Sequence, residues 1–191
     1  MIWNFIRHGK TIANEKHLYC GNTDLSLSDE GINELNLLKT HVEYPKADLY
    51  ITSGMKRTNQ TLKVLYGENE FITIENLKEM NFGKFEMKSY QELKKDSDYI
   101  RWISDIQNEI CVDGEGEKQF KQRIYEGIEE LNKISTEYSC NNAVVITHGG
   151  VISAVMEYYF PMRKNFLEWQ PCFGRGYSLE FSADKTAYKI I

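Results

Sequence analysis

The stretch Ile2-Trp3-Asn4-Phe5-Ile6-Arg7-His8-Gly9 decides the fold of this chain. Its first five residues are mostly apolar or aromatic, which is typical of a buried β-strand. Arg7, His8 and Gly9 follow directly, so charged and hydrogen-bonding groups begin where the strand ends. In open α/β sheets, ligands bind in the crevice at the carboxyl ends of the strands. The stretch therefore predicts a strand whose end carries part of a binding site.

Similar apolar runs recur along the chain and are separated by segments of helical period. Further strands are predicted at residues 47–51, 71–74, 143–146, 177–181 and 188–191. Apolar side chains at helical spacing predict helices from a Ser28 N-cap to about Val42, then over 55–66, 120–138 and 151–159. Strands that alternate with helices predict an α/β fold, a three-layer α/β/α sandwich around a mostly parallel sheet.

The chain length of 191 residues predicts a single domain over residues 1–191. No internal repeat and no linker rich in Ser, Gly or Pro divides the sequence. Residues 84–116 are charged and aromatic, and they fit the strand–helix alternation less well. Two interpretations of this segment remain open. In the first, it forms a helical excursion over the carboxyl edge of the sheet, where the site is expected. In the second, it forms two helices that pack on the side of the sheet.

Composition and charge exclude several classes of protein. The net charge is −5 and no run of Lys or Arg occurs, so we expect no nucleic-acid partner. The longest apolar stretches are far shorter than the roughly 20 residues that span a bilayer, so we expect no membrane insertion. No signal peptide is recognisable at the N-terminus, and the four cysteines are widely spaced. A cytoplasmic protein with reduced thiols is expected.

Three polar clusters follow predicted strands directly. They contain Arg7 with His8, Ser53 with Arg57 four residues later, and Thr147 with His148. Carboxyl ends of parallel strands meet at one edge, so two histidines and two arginines are expected to converge there. Guanidinium groups and the N–H groups of helix N-termini suit a tetrahedral oxyanion. The sequence predicts a phosphate pocket, although each residue taken singly is more often structural.

The motifs, taken in order, resemble those of the histidine phosphatase (phosphoglycerate mutase-like) superfamily. The matching segments lie at residues 7–14, 21–31, 53–61, 77–83 and 147–150. The resemblance implies a phosphoglycerate mutase-like fold. The sequence departs from the family pattern at Lys10, Ser26 and Met87, which leaves the substrate preference open.

The resemblance also implies a catalytic set. His8 would attack phosphorus to give a phosphohistidine, and Arg7, Arg57 and His148 would hold the phosphate oxygens. The two arginines are expected to lower the pKa of His8. Glu79 would protonate the leaving oxygen and then activate water. No metal and no cofactor is expected, because cationic side chains supply the positive charge.

Residues implied or proposed for substrate binding are less specific. The resemblance implies contacts from Asn14, Thr23 and Gly149. Arg175 lies in the stretch Cys172-Phe173-Gly174-Arg175-Gly176, where it would reach the substrate or occupy a solvent-facing turn. Three aromatic residues of the 84–116 segment would stack on an aromatic part of the substrate or fill the core; they are Tyr90, Tyr99 and Trp102.

The predicted function is a metal-independent hydrolysis of phosphomonoesters, with a small phosphorylated metabolite as substrate. The segment between Glu79 and His148 is short compared with that of the mutases of the superfamily, which favours hydrolysis. Segments around residues 77–86, 99–102 and 114–116 are similar to those of alpha-ribazole phosphatases, enzymes of cobalamin assembly. Phosphoglycerate mutase-type transfer and a catalytically silent phosphometabolite-binding protein remain alternatives. Monomer and homodimer are both open.

Overall fold

The opening stretch forms β1 (Ile2–Arg7), an inner strand of a six-stranded sheet ordered β3-β2-β4-β1-β5-β6. The computed structural model describes residues 1–183 and 185–191. The other strands are β2 (Leu49–Thr52), β3 (Ile72–Thr73), β4 (Asn142–Thr147), β5 (Gly176–Phe181) and β6 (Thr186–Ile190). The first four strands run parallel, β5 runs antiparallel to β1, and β6 forms an antiparallel hairpin with β5. The prediction of a mostly parallel sheet is confirmed.

Seven helices connect the strands within the described ranges. They are α1 (Ile12–Glu15), α2 (Asp29–Leu38), α3 (Lys56–Tyr66), α4 (Tyr90–Leu93), α5 (Ser97–Ser104), α6 (Glu117–Glu137) and α7 (Gly149–Tyr159). Single 3-10 turns lie at Glu75–Leu77, Gly83–Phe85 and Phe166–Trp169. In these same ranges no helix combines the length and the apolar character needed to cross a membrane.

The helices cover both faces of the sheet. Because neighbouring residues of a strand point to opposite faces, Val144 packs in one cluster with Leu35 of α2 and Leu62 of α3. Val145 packs on the other face in a second cluster with Ile124 of α6 and residues of α7. The predicted three-layer α/β/α arrangement is therefore present.

Some element boundaries differ from the prediction. The first long helix ends at Leu38 rather than near Val42, where the Thr40 and His41 N–H groups donate to carbonyls three residues back and the chain turns. Its predicted N-cap is confirmed, since the Ser28 hydroxyl accepts from the Gly31 N–H. Helix α6 begins earlier than predicted, at Glu117, and α7 begins at Gly149 instead of residue 151. The strand ends differ by one or two residues.

The 84–116 segment contains α4, α5 and a closing turn. Tyr99 and Trp102 are only 2% and 4% exposed and belong to the main core, whereas Tyr90 is 57% exposed. Of the two interpretations of these aromatic residues, packing in the core is the one that holds for Tyr99 and Trp102. The Lys84 backbone N–H donates to the Val112 carbonyl over 2.8 Å, which ties the two ends of the segment together.

Candidate active site

The sheet brings the predicted polar clusters to one edge. Strands β1 and β4 pair in parallel with Arg7 opposite Thr147, so the next residues emerge side by side. The rings of His8 and His148 accordingly lie 5.1 Å apart between centroids. Strand β2 flanks β4 on the other side and leads to Ser53 and to Arg57 in the first turn of α3. The predicted convergence of two histidines and two arginines is observed.

His8 is a buried imidazole with a defined tautomer. Its Nδ1 lies 2.6 Å from the Gly9 carbonyl, which can only accept, so Nδ1 carries the proton and the Nε2 lone pair remains free. Burial lowers the pKa of His8 well below 6.5, and the charges of Arg57 and Arg7 lower it further against the effect of the Gly9 carbonyl. The arginines act as predicted, but burial is the larger cause. A neutral ring with a free Nε2 is the form that can act as a nucleophile.

The Arg57 guanidinium is held from three sides. Its Nη1 donates to the Thr23 carbonyl over 2.9 Å, and its Nη2 donates to the Gly21 carbonyl over 2.7 Å. Its Nε donates to Nδ1 of His148 over 3.3 Å. A guanidinium has five N–H groups, so one remains on each terminal nitrogen. These two N–H groups are available to an anion.

His148 lies at the start of a hydrogen-bond chain. Because Nδ1 accepts from Arg57, Nε2 carries the proton and donates to the Ser53 hydroxyl over 2.8 Å. Ser53 then donates to the Thr58 hydroxyl, which donates to the Met55 carbonyl. Both ring nitrogens are thus bonded to protein groups. The predicted contact between His148 and a phosphate oxygen requires one of these bonds to be exchanged.

Arg7 presents an unpartnered donor beside His8. Its guanidinium carbon lies 3.8 Å from the ring centroid of Phe173, and Nη1 donates to the Pro171 carbonyl over 2.8 Å. Its Nε is buried and has no hydrogen-bond partner in the part of the chain that the structure describes. A buried N–H without a partner costs about 1–3 kcal/mol, which a bound anion would recover.

Glu79 lies across the site at the N-terminus of α7. Its Oε1 accepts from the Met80 N–H and its Oε2 accepts from the Gly150 N–H, both over 3.0 Å. A Cβ at Gly150 would lie 2.5 Å from Oε1, so only glycine allows the carboxylate to approach so closely. Burial lowers the pKa of Arg7 and of Arg57, and the nearby charge of Glu79 opposes this lowering.

Of the four predicted substrate contacts, Thr23 and Gly149 touch other protein groups. The Thr23 hydroxyl donates to Oε2 of Glu86 over 2.6 Å, and the Thr23 carbonyl holds Arg57. Gly149 packs against Gln170, where a Cβ would approach Nε2 to 2.5 Å. Thr23 therefore helps to position Arg57, and the role of Gly149 in substrate binding remains a prediction.

The other two predicted substrate contacts, Asn14 and Arg175, lie beside Arg7. Asn14 accepts from the Thr11 N–H over 2.9 Å and lines a groove shared with Arg7. Arg175 is half-buried and lines a second groove with Arg7 and Phe173. Their roles in substrate binding remain predictions.

Glu86 is a functional residue that the sequence did not assign. Its carboxylate accepts hydrogen bonds from five donors, namely the N–H groups of Gly21, Asn22, Thr23 and Phe82 and the Thr23 hydroxyl. The loop at residues 21–23 is the one whose carbonyls hold Arg57. Glu86 therefore positions Arg57 without touching it. No sequence signal showed this, because its main partners are backbone groups distant in the chain.

Replacement of Glu86 by Gln is expected to lower kcat/KM about 100-fold and by the same factor for every phosphomonoester. The reason is that Arg57 acts on the phosphoryl group, which all substrates share. Initial rates with an aryl and an alkyl phosphate measure the effect. Glu92→Gln is the matched control, because Glu92 only caps α4 at the surface. A loss confined to one class of substrate would contradict this role.

Two buried neutral histidines predict a loss of stability in mild acid. Burial, then the charge of Arg57, holds the pKa of His8 and of His148 well below 6.5. Below about pH 6.5 the unfolded chain therefore binds more protons than the folded one, so the free energy of unfolding falls as the pH falls. The slope reaches about 1.4 kcal/mol per pH unit for each histidine.

Urea unfolding between about pH 7 and pH 5 measures this slope. His8→Asn should reduce the slope by about half, because one of the two groups is removed. His41→Asn, at an exposed position, should leave it unchanged. An identical slope in the native protein and in His8→Asn would refute the assignment.

The fold and the site identify the class of protein. The family model of the histidine phosphatase superfamily (branch 1) matches residues 3–187, so the chain belongs to this superfamily. It is a phosphatase.

Two known enzymes and one crystal structure are similar to this chain. The chain is 32% identical over 160 residues to the adenosylcobalamin/alpha-ribazole phosphatase of Salmonella typhimurium. The aligned region covers 81% of this chain and 77% of that protein. It is 31% identical over 159 residues to the enzyme of the same name from Escherichia coli K12, covering 81% and 76%. The crystal structure of the alpha-ribazole phosphatase from Shigella flexneri superposes with a TM-score of 0.88 at 26% identity, covering 100% of this chain and 96% of that one. The predicted fold is confirmed.

Proposed function

We propose that this phosphatase hydrolyses a small phosphomonoester through a phosphohistidine at His8, and that alpha-ribazole 5'-phosphate is its substrate. The observation that carries the proposal is the free Nε2 lone pair of a neutral His8. It lies beside the unpartnered Nε of Arg7 and beside Arg57, whose two terminal nitrogens each keep one further N–H. The names of the similar enzymes support the substrate.

In the first step, Nε2 of His8 attacks phosphorus and the bond from phosphorus to the ester oxygen breaks. Glu79, in its protonated form, gives its proton to the departing oxygen, so the alcohol leaves neutral. The free N–H groups of Arg7 and Arg57 bind the phosphoryl oxygens as they bear the transition-state charge.

In the second step, Glu79 takes a proton from water, which attacks phosphorus while the bond to Nε2 breaks. Inorganic phosphate leaves, and both His8 and Glu79 return to their starting forms. Neither step uses a metal ion, because the two guanidinium groups supply the positive charge.

A cleft on the side of Glu79 supports a bulky leaving group. It has a volume of about 810 Å³ and contains Glu79 and Gly150. Most of its other walls are apolar or aromatic, and include Met80, Phe82, Trp102, Ile106, Phe166 and Leu167. Because Glu79 must reach the ester oxygen, the alcohol portion lies in this cleft. Such walls suit an alcohol with a bulky apolar part better than a small charged one.

The test is phosphate release in the presence of EDTA from alpha-ribazole 5'-phosphate, phosphoserine and 3-phosphoglycerate. We expect metal-independent release, with the highest kcat/KM for alpha-ribazole 5'-phosphate. Activity only after addition of a metal would overturn the mechanism. Isomerisation of 3-phosphoglycerate without phosphate release would favour a mutase, and binding of all three esters without turnover would favour a silent binding protein.

A further inference from the structure

We propose that Arg123 and Glu115 form a positioning pair that sets the place of the acid Glu79. This inference rests on the proposed function, in which Glu79 protonates the leaving oxygen. Neither Arg123 nor Glu115 is part of the predicted catalytic set, and both lie outside the phosphate pocket.

Arg123, on α6, directs its guanidinium at the segment that carries Glu79. Its Nη1 donates to the carbonyls of Asn76 and Lys78, each over 2.9 Å. Its Nη2 donates to the carbonyl of Glu79 itself over 3.3 Å. One rigid group therefore binds three carbonyls within four consecutive residues.

Glu115 completes the arrangement. It accepts from Nε and Nη2 of Arg123, each over 2.8 Å, so all five N–H groups of the guanidinium have partners. Its Oε2 also accepts from the Asn81 N–H, and its own N–H donates to the Asn81 carbonyl, each over 2.9 Å. Burial opposes ionisation, but the hydrogen bonds from Arg123 and Asn81 prevail and lower the pKa of Glu115. The pair thus holds the chain on both sides of Glu79.

The segment at residues 76–81 depends on this support. It has no regular secondary structure after the 3-10 turn that ends at Leu77. Among the described residues, the Thr147 hydroxyl also donates to a carbonyl of this segment, that of Leu77, over 2.8 Å. Beyond Leu77, the backbone around Glu79 is held by Arg123 of α6 and by Glu115, which lies just before that helix. A shift of about 1 Å in a catalytic group costs about 100-fold in rate, so the pair has a measurable effect on Glu79.

Arg123→Ala tests the inference through the leaving group. Alkyl phosphates need the proton from Glu79, whereas p-nitrophenyl phosphate releases a stable phenolate without it. We expect kcat/KM to fall about 100-fold for 2-phenylethyl phosphate and to change little for p-nitrophenyl phosphate. In a Glu79→Gln background, Arg123→Ala should cause no further loss, because the group it positions is already disabled.

Matched variants separate positioning from folding. Arg101→Ala removes an exposed arginine paired with Glu109 and should change neither rate. Arg123→Lys and Glu115→Gln keep part of the hydrogen bonding. They should show a smaller loss of kcat/KM that is again confined to the alkyl phosphate, even if Arg123→Ala fails to fold. An equal loss for both substrates, or an undiminished loss in the Glu79→Gln background, would overturn the inference. Absence of metal-independent turnover by the native protein would instead overturn the proposed function.

Discussion

His8→Ala is expected to lower turnover of every phosphomonoester by at least about 10⁴-fold. Among the residues that the structure describes, the neighbouring imidazole cannot replace it. His148 is the neighbouring imidazole, but its Nδ1 accepts from Arg57 and its Nε2 is protonated and bonded to Ser53. A lone pair on a ring nitrogen facing the pocket is therefore lost with His8.

Phosphate release from p-nitrophenyl phosphate in EDTA measures the effect, and acid-labile labelling from a radioactive substrate should disappear in parallel. His41→Ala, which removes an exposed histidine, is the control and should retain full activity. Substantial turnover by a folded His8→Ala protein would mean that another group attacks phosphorus.

Glu79→Gln should separate substrates by their leaving groups. For alkyl phosphates kcat/KM should fall by about 10²- to 10⁴-fold, because the amide cannot donate a proton to the departing oxygen. For p-nitrophenyl phosphate kcat/KM should fall far less, since its phenolate leaves without a proton. Hydrolysis of the phosphohistidine is slowed as well, so this substrate should give a burst of nitrophenolate.

Stopped-flow absorbance measures the burst, and its amplitude should equal the enzyme concentration. Glu75→Gln is a suitable control, because Glu75 lies nearby and pairs only with Lys78 at the surface. A uniform loss of kcat/KM across both substrates, without a burst, would remove Glu79 from the role of acid.

The sequence was sufficient to predict the sheet and the convergence of the site. Apolar runs and helical spacing predicted the layers, and polar residues at strand ends predicted where the proposed catalytic groups meet. Helix ends were less certain. The first long helix ends at Leu38 in a turn closed by the backbone N–H groups of Thr40 and His41, which periodicity does not reveal.

The supporting contacts could not be predicted. Glu86 and Arg123 act mainly on backbone N–H and carbonyl groups, which every residue carries, so no residue type marks the partner. The tautomers of His8 and His148 likewise depend on a carbonyl and a guanidinium whose directions exist only in the folded chain. Tyr99 and Trp102 illustrate a different limit. An aromatic residue near a site looks the same in the sequence whether its side chain packs in the core or binds substrate.

The separation between the phosphate pocket and the apolar cleft has a consequence for how new substrate ranges arise. The groups proposed to act on phosphorus lie at the end of β1 and in α3, whereas part of the cleft wall comes from the 84–116 segment and the turn around Phe166. Mutations can therefore reshape the alcohol site while the chemistry is inherited intact. The exchangeable part lies between Glu86 and Glu115. A graft that discards Glu86 loses the support of the loop that holds Arg57, and a graft that discards Glu115 loses the partner of Arg123. Diversification of this segment is therefore confined to the residues between these two carboxylates.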